Sequence, residues 1–537
     1  MTRKTEAVDE VQNAVQPHAP ATEDIAIKSL KGTASYTDSI GPLFPRALTE
    51  SADEGYDIFV ANQDRPFTDE ESKRVARKLD WHLLPCMCVF YGLNYVDKVI
   101  MGWAVLFTFK EDLGLVGNQY SWASSVFYFG YLAAQYPANF LLTRFSTSKV
   151  LAVGTITWGM IIVLHMACFN YAGLIALRFF LGVAESVASP GFVLYTSHWY
   201  TRQEQVMRTM TWGAMQGTFN ILGCLLSYGL GHIDNTSIPS WKYIFLVLGA
   251  MSLITGVVWL IVMPEGPHDA KFLTEEERVI AVQRVAANMM GIKSYEWKYY
   301  QIWHCVRDPK TWFLAGFVFF SMLPNGGLTN FGSLVISGLG FGKFETLLVG
   351  LPSSIVSAGS MIIWAYFSTR HEGLRTWGMI GPMIPAIAGI ASVYGTNNVP
   401  SANKWGRLVA YWLINSYAVT WPFTLTIVGQ NIAGHTKRAA TNVLLFMAFS
   451  AGNIAGPFFF RERDAPRYVL AITIILVCFC LCIFIAAGLR VYMIIANKRR
   501  DRKYGVVVRR EGEVLEGVML GMHDLTELEN PDFRYVL

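Results

Sequence analysis

The chain has too few charged residues over most of its length to be a water-soluble protein. Of its 84 Asp, Glu, Lys and Arg residues, 55 lie in the segments 1–80, 264–310 and 498–537, which leaves 29 in the other 370 residues. A soluble domain of that size needs many more charges to cover its surface. The composition therefore indicates that this part of the chain lies in a membrane. The net charge of +4 is too small to indicate a nucleic-acid partner.

The chain also lacks the residue patterns of disulfide scaffolds, metal sites and the common enzyme classes. Its eight cysteines include the C-x-C pairs Cys86/Cys88 and Cys478/Cys480, but no cluster of His or acidic residues accompanies them. No Walker sequence, nucleotide-binding fingerprint or nucleophile elbow is present. We therefore expect neither an enzyme nor a protein with a bound cofactor or metal.

What the sequence does have is a series of apolar stretches, each long enough to cross about 30 Å of hydrocarbon. Six precede and six follow a polar linker. They lie near 82–107, 120–141, 149–169, 171–197, 209–231, 242–263, 311–337, 345–368, 374–395, 404–431, 439–460 and 468–496. The pattern predicts an all-α membrane protein with twelve transmembrane helices in two pseudo-symmetric six-helix bundles, a layout that places the substrate between the halves.

The same pattern predicts five segments along the chain. They are a disordered cytosolic N-terminal tail (1–67), an N-terminal six-helix bundle (68–263), a cytosolic linker with surface helices (264–310), a C-terminal six-helix bundle (311–497) and an unstructured cytosolic C-terminal tail (498–537). Capping boxes that begin at Thr68 and Thr274 mark two helix starts, one before the first bundle and one in the linker.

The distribution of Lys and Arg predicts the orientation. In the first half, basic residues gather on the side of the N-terminal tail, as in Lys73, Arg74 and Arg144, whereas the opposite side holds only Lys110 and Lys242. We therefore expect both termini in the cytosol. An Asn-Thr-Ser sequon begins at Asn235 in a short outer loop, which makes Asn235 a possible glycosylation site.

Four charged residues lie well inside the predicted spans, all in the first half: Asp97, Lys98, Arg178 and Glu185. Each costs about 2.5–3.5 kcal/mol in the membrane on insertion scales. One interpretation is that they only pair with each other, Asp97 with Arg178 and Lys98 with Glu185. The other is that the acids bind protons and the bases hold an anion, because a carboxyl group in a medium of low dielectric binds a proton more readily.

Four sequence motifs resemble those of the major facilitator superfamily, and within it the anion:cation symporters, closest to the fungal allantoate permease-like branch. The motifs are Leu93-Asn94-Tyr95-Val96-Asp97-Lys98; Ser121-Trp122 with Gly130-Tyr131 and Gln135-Tyr136-Pro137; Arg178 through Glu185 with Pro190-Gly191; and Gly434 through Arg438 with Gly452 through Pro457. The resemblance covers about 68–500 and implies alternating access, usually the import of an organic anion with protons.

The resemblance also implies roles for individual residues. Asp97 and Glu185 stand where the family has its proton-coupling acids, and Lys98 and Arg178 where it has the bases that act on the substrate carboxylate. The remaining positions implied to contact substrate are Tyr95, Tyr131, Gln216 and Asn453.

From these observations we expect a monomeric, proton-driven importer of a small carboxylate, such as a ureide, a vitamin or a sugar acid, in the plasma membrane of a fungus. The proton gradient is its driving force, and its partners are the substrate and the lipid bilayer. Two alternatives stay open at this point. One is an efflux antiporter for a drug or secondary metabolite, and the other is a nutrient sensor with the same fold that does not transport.

Overall fold

The structure is a computed structural model that describes residues 67–233, 238–289, 298–370, 373–396, 403–505, 526–530 and 533–537. Within these ranges the regular secondary structure is entirely helical. The predicted N-terminal tail, except for its last residue, and the sequon at Asn235 lie outside the described residues.

The first six passes form a group of helices that we call the first unit. Its helices are α1 (Asp69–Ala104), α2 (Phe109–Asp112), α3 (Gln119–Arg144), α4 (Thr147–Leu164), α5 (Tyr171–Glu185), α6 (Ala188–Trp199), α7 (Arg202–Leu230) and α8 (Ser240–Val262). The capping box predicted at Thr68 is confirmed: Glu71 N–H donates to Thr68 Oγ1 at 3.3 Å, and Thr68 N–H donates to Glu71 Oε2 at 2.9 Å.

The linker and the last six passes follow. The linker contains α9 (Glu275–Met289) and α10 (Tyr299–Arg307). The second unit contains α11 (Pro309–Gly338), α12 (Lys343–Arg370), α13 (Trp377–Ile380), α14 (Met383–Thr396), α15 (Lys404–Ile414), α16 (Thr420–Asn431), α17 (His435–Ala455) and α18 (Val469–Tyr504). We call the side of the membrane on which α1 begins the tail side, and the other side the opposite side.

Three passes that the sequence predicted as continuous are interrupted, one of them the ninth, which is divided between α13 and α14. The fourth pass is broken at Ser186 and Val187, between α5 and α6. The tenth pass contains a 3-10 turn, Asn415–Val419, between α15 and α16. The fourth and tenth passes are each the fourth pass of a unit, and interrupted helices in corresponding positions of two repeats are typical of transporter binding sites.

The surface of the helices fits a lipid environment. Nine helical segments of the described chain have the length and the apolar composition to cross a membrane. Large apolar side chains point outward from them, among them Ile261 on α8, Ile362 on α12 and Phe484 on α18, each more than 60% exposed. Because lipid, unlike water, solvates such side chains well, this surface is that of a multi-pass membrane protein.

Helix α3 packs directly against α5 through two glycines. A Cβ atom on Gly182 would lie 1.9 Å from the carbonyl oxygen of Phe127, and one on Gly130 would lie 2.1 Å from that of Phe179. No side chain fits at either position, so the two backbones approach closely, as at other small-residue contacts between membrane helices. This contact fixes the position of α5, which carries Arg178 and Glu185.

The linker helix α9 is attached to the first unit. It begins at the predicted capping box, in which Glu277 N–H donates to Thr274 Oγ1 at 3.3 Å. Glu277 then pairs with Lys78 of α1 at 2.6 Å, and Arg284 pairs with Glu204 of α7 at 2.6 Å. Burial raises the pKa of Glu277, but Lys78 outweighs that effect and holds the pKa below its ordinary value.

The end of the chain differs from our expectation of an unstructured tail. Helix α18 continues to Tyr504, past the predicted boundary at 497. Residues 526–530 and 533–537, which we call the C-terminal segment, pack against the second unit, and Glu527 and Tyr535 are buried. Composition alone did not reveal this docking, since its partners lie far away in the sequence.

Candidate functional site

The two units contact each other toward the opposite side, beginning with α3. Ser121 Oγ, in the first turn of α3, donates a hydrogen bond to the carbonyl of Pro457 at 3.0 Å. Tyr120 Oη donates to the carbonyl of Asn330, near the end of α11, at 2.9 Å. Both contacts lie where α3 begins and α11 ends, which is the side opposite the tails.

A second set of contacts joins α7 to α12. Asn220 Nδ2 donates to Ser354 Oγ at 2.6 Å, and Cys224 Sγ lies 3.1 Å from the carbonyl of Leu347. These residues occupy the last third of α7 and the first half of α12. In the part of the chain that the structure describes, the hydrogen bonds between the units therefore lie away from the tail side.

Three side chains, those of Asn94, Lys98 and Glu185, contact each other between α1 and α5, and we call them the charged group. Lys98 Nζ is 3.5 Å from Glu185 Oε2, as our sequence analysis proposed for this pair. Asn94 contacts both residues: its Nδ2 donates to Glu185 Oε2 at 3.1 Å, and its Oδ1 accepts from Lys98 Nζ at 3.1 Å. Asn94 and Lys98 are four residues apart on α1, so they share one face of the helix.

The members of this charged group differ in exposure. The Lys98 side chain is 25% exposed, whereas Glu185 is fully buried. The Oε1 atom of Glu185 has no hydrogen-bond partner among the described residues. The ammonium group is therefore the part of the group that a ligand can reach first, with the carboxyl group behind it.

Asp97 does not contact Arg178, so our expectation of that pair is wrong. The Asp97 side chain is fully buried and faces α8, where Ser252 Oγ donates to its Oδ2 at 3.0 Å. Neighbouring residues of a helix point about 100° apart. Because Lys98 faces α5, Asp97 is turned toward a different helix.

Arg178 is buried without any such partner. It is 2% exposed, and neither Nε nor Nη2 donates a hydrogen bond within the described part of the chain. It lies seven residues before Glu185 on α5, and 7 × 100° returns it to the same helix face, about 10 Å away along the axis. The guanidinium group is therefore held near the charged group with donors to spare.

Three of the four further residues implied to contact substrate belong to the first unit and are distributed over three helices. Tyr95 on α1 and Gln216 on α7 are partly exposed. Tyr131 on α3 is 5% exposed and stacks on Phe127, with ring centroids 6.3 Å apart. Tyr95 and Gln216 are less buried than Tyr131, so a ligand can reach them more easily.

Asn453 belongs to a separate, uncharged group in the second unit. Its Oδ1 accepts from Asn325 Nδ2 at 2.8 Å, its Nδ2 donates to the carbonyl of Phe449 at 2.8 Å, and the side chain is fully buried. Tyr417 Oη completes the group by donating to Asn325 Oδ1 at 3.1 Å. Asn325 is partly exposed, so it presents this group more openly than Asn453 does.

Comparison with known proteins identifies the fold and the family. The sequence profile of the Major Facilitator Superfamily matches residues 87–457. The chain belongs to the major facilitator superfamily. Within that superfamily it falls in the fungal allantoate permease-like branch. It is 31% identical to the allantoate permease of Saccharomyces cerevisiae over 503 residues, which are 91% of each chain. It is 34% identical to an uncharacterized transporter of Schizosaccharomyces pombe, over 93% of this chain and 95% of the relative.

Solved structures of other transporters share the fold at low sequence identity. A bacterial homologue of the human lysosomal transporter Spinster aligns with a TM-score of 0.57 at 13% identity, over 79% of this chain and 97% of that chain. A D-xylose–proton symporter aligns with a TM-score of 0.56 at 12% identity, over 76% and 97%. The chain is thus a major facilitator transporter of a small molecule, not an enzyme.

Proposed function

We propose that the chain takes up a small organic anion together with protons, by alternating access. The observation that carries this proposal is the buried Arg178, whose Nε and Nη2 lack acceptors among the described residues. A buried donor without an acceptor costs about 1–3 kcal/mol, and more when it is charged. A carboxylate offers two oxygens in the geometry that a guanidinium group matches, so a carboxylate-bearing substrate would remove this cost.

The charged group supplies a means of coupling the anion to a proton. Glu185, while ionised, attracts Lys98 Nζ at 3.5 Å. When Glu185 binds a proton, that attraction is lost and the ammonium group becomes available to an anionic substrate. Binding of the anion and of the proton therefore favour each other, because each is stronger in the state that the other produces.

We assign Asp97 a second proton-dependent contact, away from the substrate. Its Oδ1 has no partner in the described chain, and its Oδ2 accepts from Ser252 on α8. On protonation, the neutral Asp97 carboxyl group would keep its contact with Ser252. The buried negative charge between α1 and α8 would be removed. Asp97 then affects how these helices pack, whereas Glu185 affects the substrate site.

The proposal also covers the orientation of the transporter and the remaining substrate contacts. The contacts toward the opposite side support a conformation that faces the tail side. We propose that the tail side is cytosolic, as the Lys and Arg distribution predicts, and that the membrane is the plasma membrane. Tyr95, Tyr131, Gln216 and Asn453 are proposed as substrate contacts. The allantoate permease among the relatives supports a carboxylate as the substrate class. We propose that the monomer is the transporting form, with no cofactor besides the proton gradient.

Proton-driven accumulation in proteoliposomes tests this function. Radiolabelled organic anions (ureides, nicotinate, pantothenate, sugar acids) are supplied in an acidic external buffer. At least one of them should accumulate above its external concentration, and a protonophore should abolish this accumulation. Glu185→Gln should abolish accumulation yet retain counterflow exchange of that anion, because exchange needs no net proton movement.

The matched control is Glu111→Gln, which neutralises an exposed carboxylate of the same unit and should accumulate substrate as the unmodified chain does. Accumulation by Glu185→Gln that still collapses with the protonophore would show that another group carries the proton. If the protonophore changed uptake in none of the variants, proton coupling would be contradicted altogether.

A further inference from the structure

The C-terminal segment places a carboxylate between two buried lysines. Glu527 Oε1 accepts from Lys310 Nζ at 2.7 Å and from Lys437 Nζ, while its Oε2 accepts from the backbone N–H of Ala433 at 3.0 Å. The side chains of Lys310, Lys437 and Glu527 are at most 1% exposed. Both carboxylate oxygens therefore have partners, and none of these charges is solvated by water.

The charges of this cluster balance only when Glu527 is present. Asp308, at the start of α11, accepts from Lys437 Nζ at 2.8 Å and lies 3.4 Å from Lys310 Nζ. Burial raises the pKa of the Asp308 carboxyl, but the two ammonium groups outweigh burial and lower that pKa below its ordinary value. Asp308 is thus ionised and neutralises one lysine, and Glu527 neutralises the other.

The rest of the segment is bound by paired hydrogen bonds, as a peptide ligand is. Asn431, at the end of α16, donates to the carbonyl of Val536 at 3.0 Å and accepts from its N–H at 2.7 Å. Asn497 of α18 makes the same two bonds to Tyr535, both at 2.8 Å. Each asparagine therefore recognises backbone and fixes the register of the segment.

Further contacts bring in more of the second unit. Arg500 of α18 donates to the carbonyl of Phe533 at 2.8 Å, and the N–H of Arg375, before α13, donates to the carbonyl of Leu537 at 3.2 Å. Lys310 Nζ also lies 4.1 Å from the centroid of the Tyr535 ring. The segment thus connects the tail-side ends of α11, α16, α17 and α18 and the chain before α13.

We propose that Lys310, Lys437 and the Ala433 N–H form a carboxylate-binding socket for the chain's own C-terminal segment, and that Glu527 in this socket holds the tail-side ends of the second unit together. Lys310 is the second residue of α11, and Asn325 of the uncharged group lies 15 residues further along it, about 22 Å at 1.5 Å per residue. The socket is therefore a separate site from the substrate site. The proposal does not depend on the substrate or on proton coupling.

The first test is the thermal stability of the purified full-length chain with Glu527→Gln. The substitution leaves a net positive charge buried among Asp308, Lys310 and Lys437, so Tm should fall by at least about 4 °C. The matched control is Glu529→Gln, because Glu529 is an exposed carboxylate whose described hydrogen bonds go to Thr526 within the same segment. Its Tm should stay within about 1 °C of that of the unmodified chain. An unchanged Tm for Glu527→Gln would overturn the proposal.

The second test is binding of a synthetic peptide with the sequence of residues 526–537 to the Glu527→Gln chain. The peptide should displace the weakly bound C-terminal segment of this variant and restore most of the lost Tm. The same peptide with Glu527→Gln should restore none of it. The unmodified chain should bind the labelled peptide at least about 10-fold more weakly, since its own tail occupies the socket at high effective concentration. Equal restoration by both peptides would show that Glu527 does not recognise the socket.

A charge-balanced variant covers the case in which Glu527→Gln fails to fold. Lys437→Gln combined with Glu527→Gln leaves Asp308 and Lys310 as a neutral pair. The double variant should recover folded protein and a higher Tm than Glu527→Gln alone. A double variant no more stable than the single one would mean that the cluster does not act through charge balance.

Discussion

At the scale of residues, neighbouring side chains on α1 serve different helices. Lys98 and Asn94 face α5 and contact Glu185, whereas Asp97 faces α8 and contacts Ser252. In the mechanism that we propose, a proton on Glu185 would change the charge that the substrate meets, and a proton on Asp97 would change the packing of two helices. Helix α1 thus makes both of these contacts without their sharing a partner.

Arg178 is the residue whose substitution should separate an anion-binding role from a structural one. Arg178→Lys keeps the charge but loses the fork that matches a carboxylate, so KM for the anion should rise about 10-fold or more, as for the loss of about 1.4 kcal/mol of binding. Arg178→Ala should leave no measurable uptake. Uptake kinetics in proteoliposomes, with quantified protein, measure both.

Arg144→Ala is the control for Arg178, because Arg144 is an exposed arginine at the end of α3. Its KM should equal that of the unmodified chain. If Arg178→Lys and Arg178→Ala were both absent from the membrane fraction, Arg178 would be a folding residue, and the substrate carboxylate would need another partner.

The sequence predicted some of these residue contacts and not others. The Lys98–Glu185 pair was predictable because charges inside a membrane need partners, and few oppositely charged residues were available. The expected Asp97–Arg178 pair was wrong because the rotation of α1 about its own axis depends on packing, which the spacing of charges does not reveal. The bridging position of Asn94 could have been inferred from its i, i+4 spacing to Lys98.

At the scale of elements, the glycine contact between α3 and α5 positions the helix that carries Arg178 and Glu185. Gly182→Ala would put a Cβ atom 1.9 Å from the carbonyl oxygen of Phe127. We expect this variant to lose about 1–3 kcal/mol of stability through overpacking, and to lose substrate affinity because α5 must shift. Thermal unfolding in detergent, followed by tryptophan fluorescence, measures the first effect.

Gly213→Ala provides the comparison for this helix contact. Gly213 is also a glycine inside a helix, but a Cβ atom there would meet no neighbour within 4 Å. Because alanine favours helix more than glycine does, this variant should be as stable as the unmodified chain or slightly more stable. A loss of stability equal to that of Gly182→Ala would mean that the close approach of α3 and α5 is not the cause.

The positions of the helices were largely predictable, but their interruptions were not. The predicted spans 120–141 and 468–496 correspond to α3 (Gln119–Arg144) and α18 (Val469–Tyr504). They were predictable because the length of an apolar stretch can be read directly from the sequence. The span near 404–431 divides into two helices around a 3-10 turn. Such a turn depends on tertiary partners: Ser416 Oγ, for example, donates to the carbonyl of Pro382 at 2.7 Å.

At the scale of the whole molecule, the contacts between α7 and α12 are among those that close the opposite side. Asn220 and Ser354 touch across the two units at 2.6 Å. A chain carrying Asn220→Cys and Ser354→Cys should form a disulfide on oxidation, which would hold the opposite side closed. Uptake should then stop and should return after addition of a reductant.

The control pair is Asp80→Cys with Arg208→Cys, two positions within the first unit whose native side chains pair at 2.8 Å. Oxidation of this pair should not add to any loss of uptake already seen in its reduced form, since helices of one unit move together. If the oxidised Asn220/Ser354 pair transported at the reduced rate, the two units would not separate there during the cycle.

The arrangement of the units was less predictable than their content. Six plus six spans predicted two bundles, but not which ends touch, because a transporter's sequence encodes more than one arrangement of its halves. The docked C-terminal segment was missed for a related reason. Lys310 and Glu527 are 217 residues apart, and nothing local in either segment indicates the other.

The interruptions of the fourth and tenth passes have a consequence for the exchange of backbone amides with deuterium. Ser186 N–H reaches the Val183 carbonyl at 3.3 Å, and residues 415–419 form a 3-10 turn, whose hydrogen bonds are weaker than those of an α-helix. Amides at both places should exchange sooner than those of the continuous helices around them. One break lies beside Glu185, and the other contains Tyr417 of the uncharged group in the second unit. The masses of two peptides would therefore report separately how a bound substrate affects each half of the transporter.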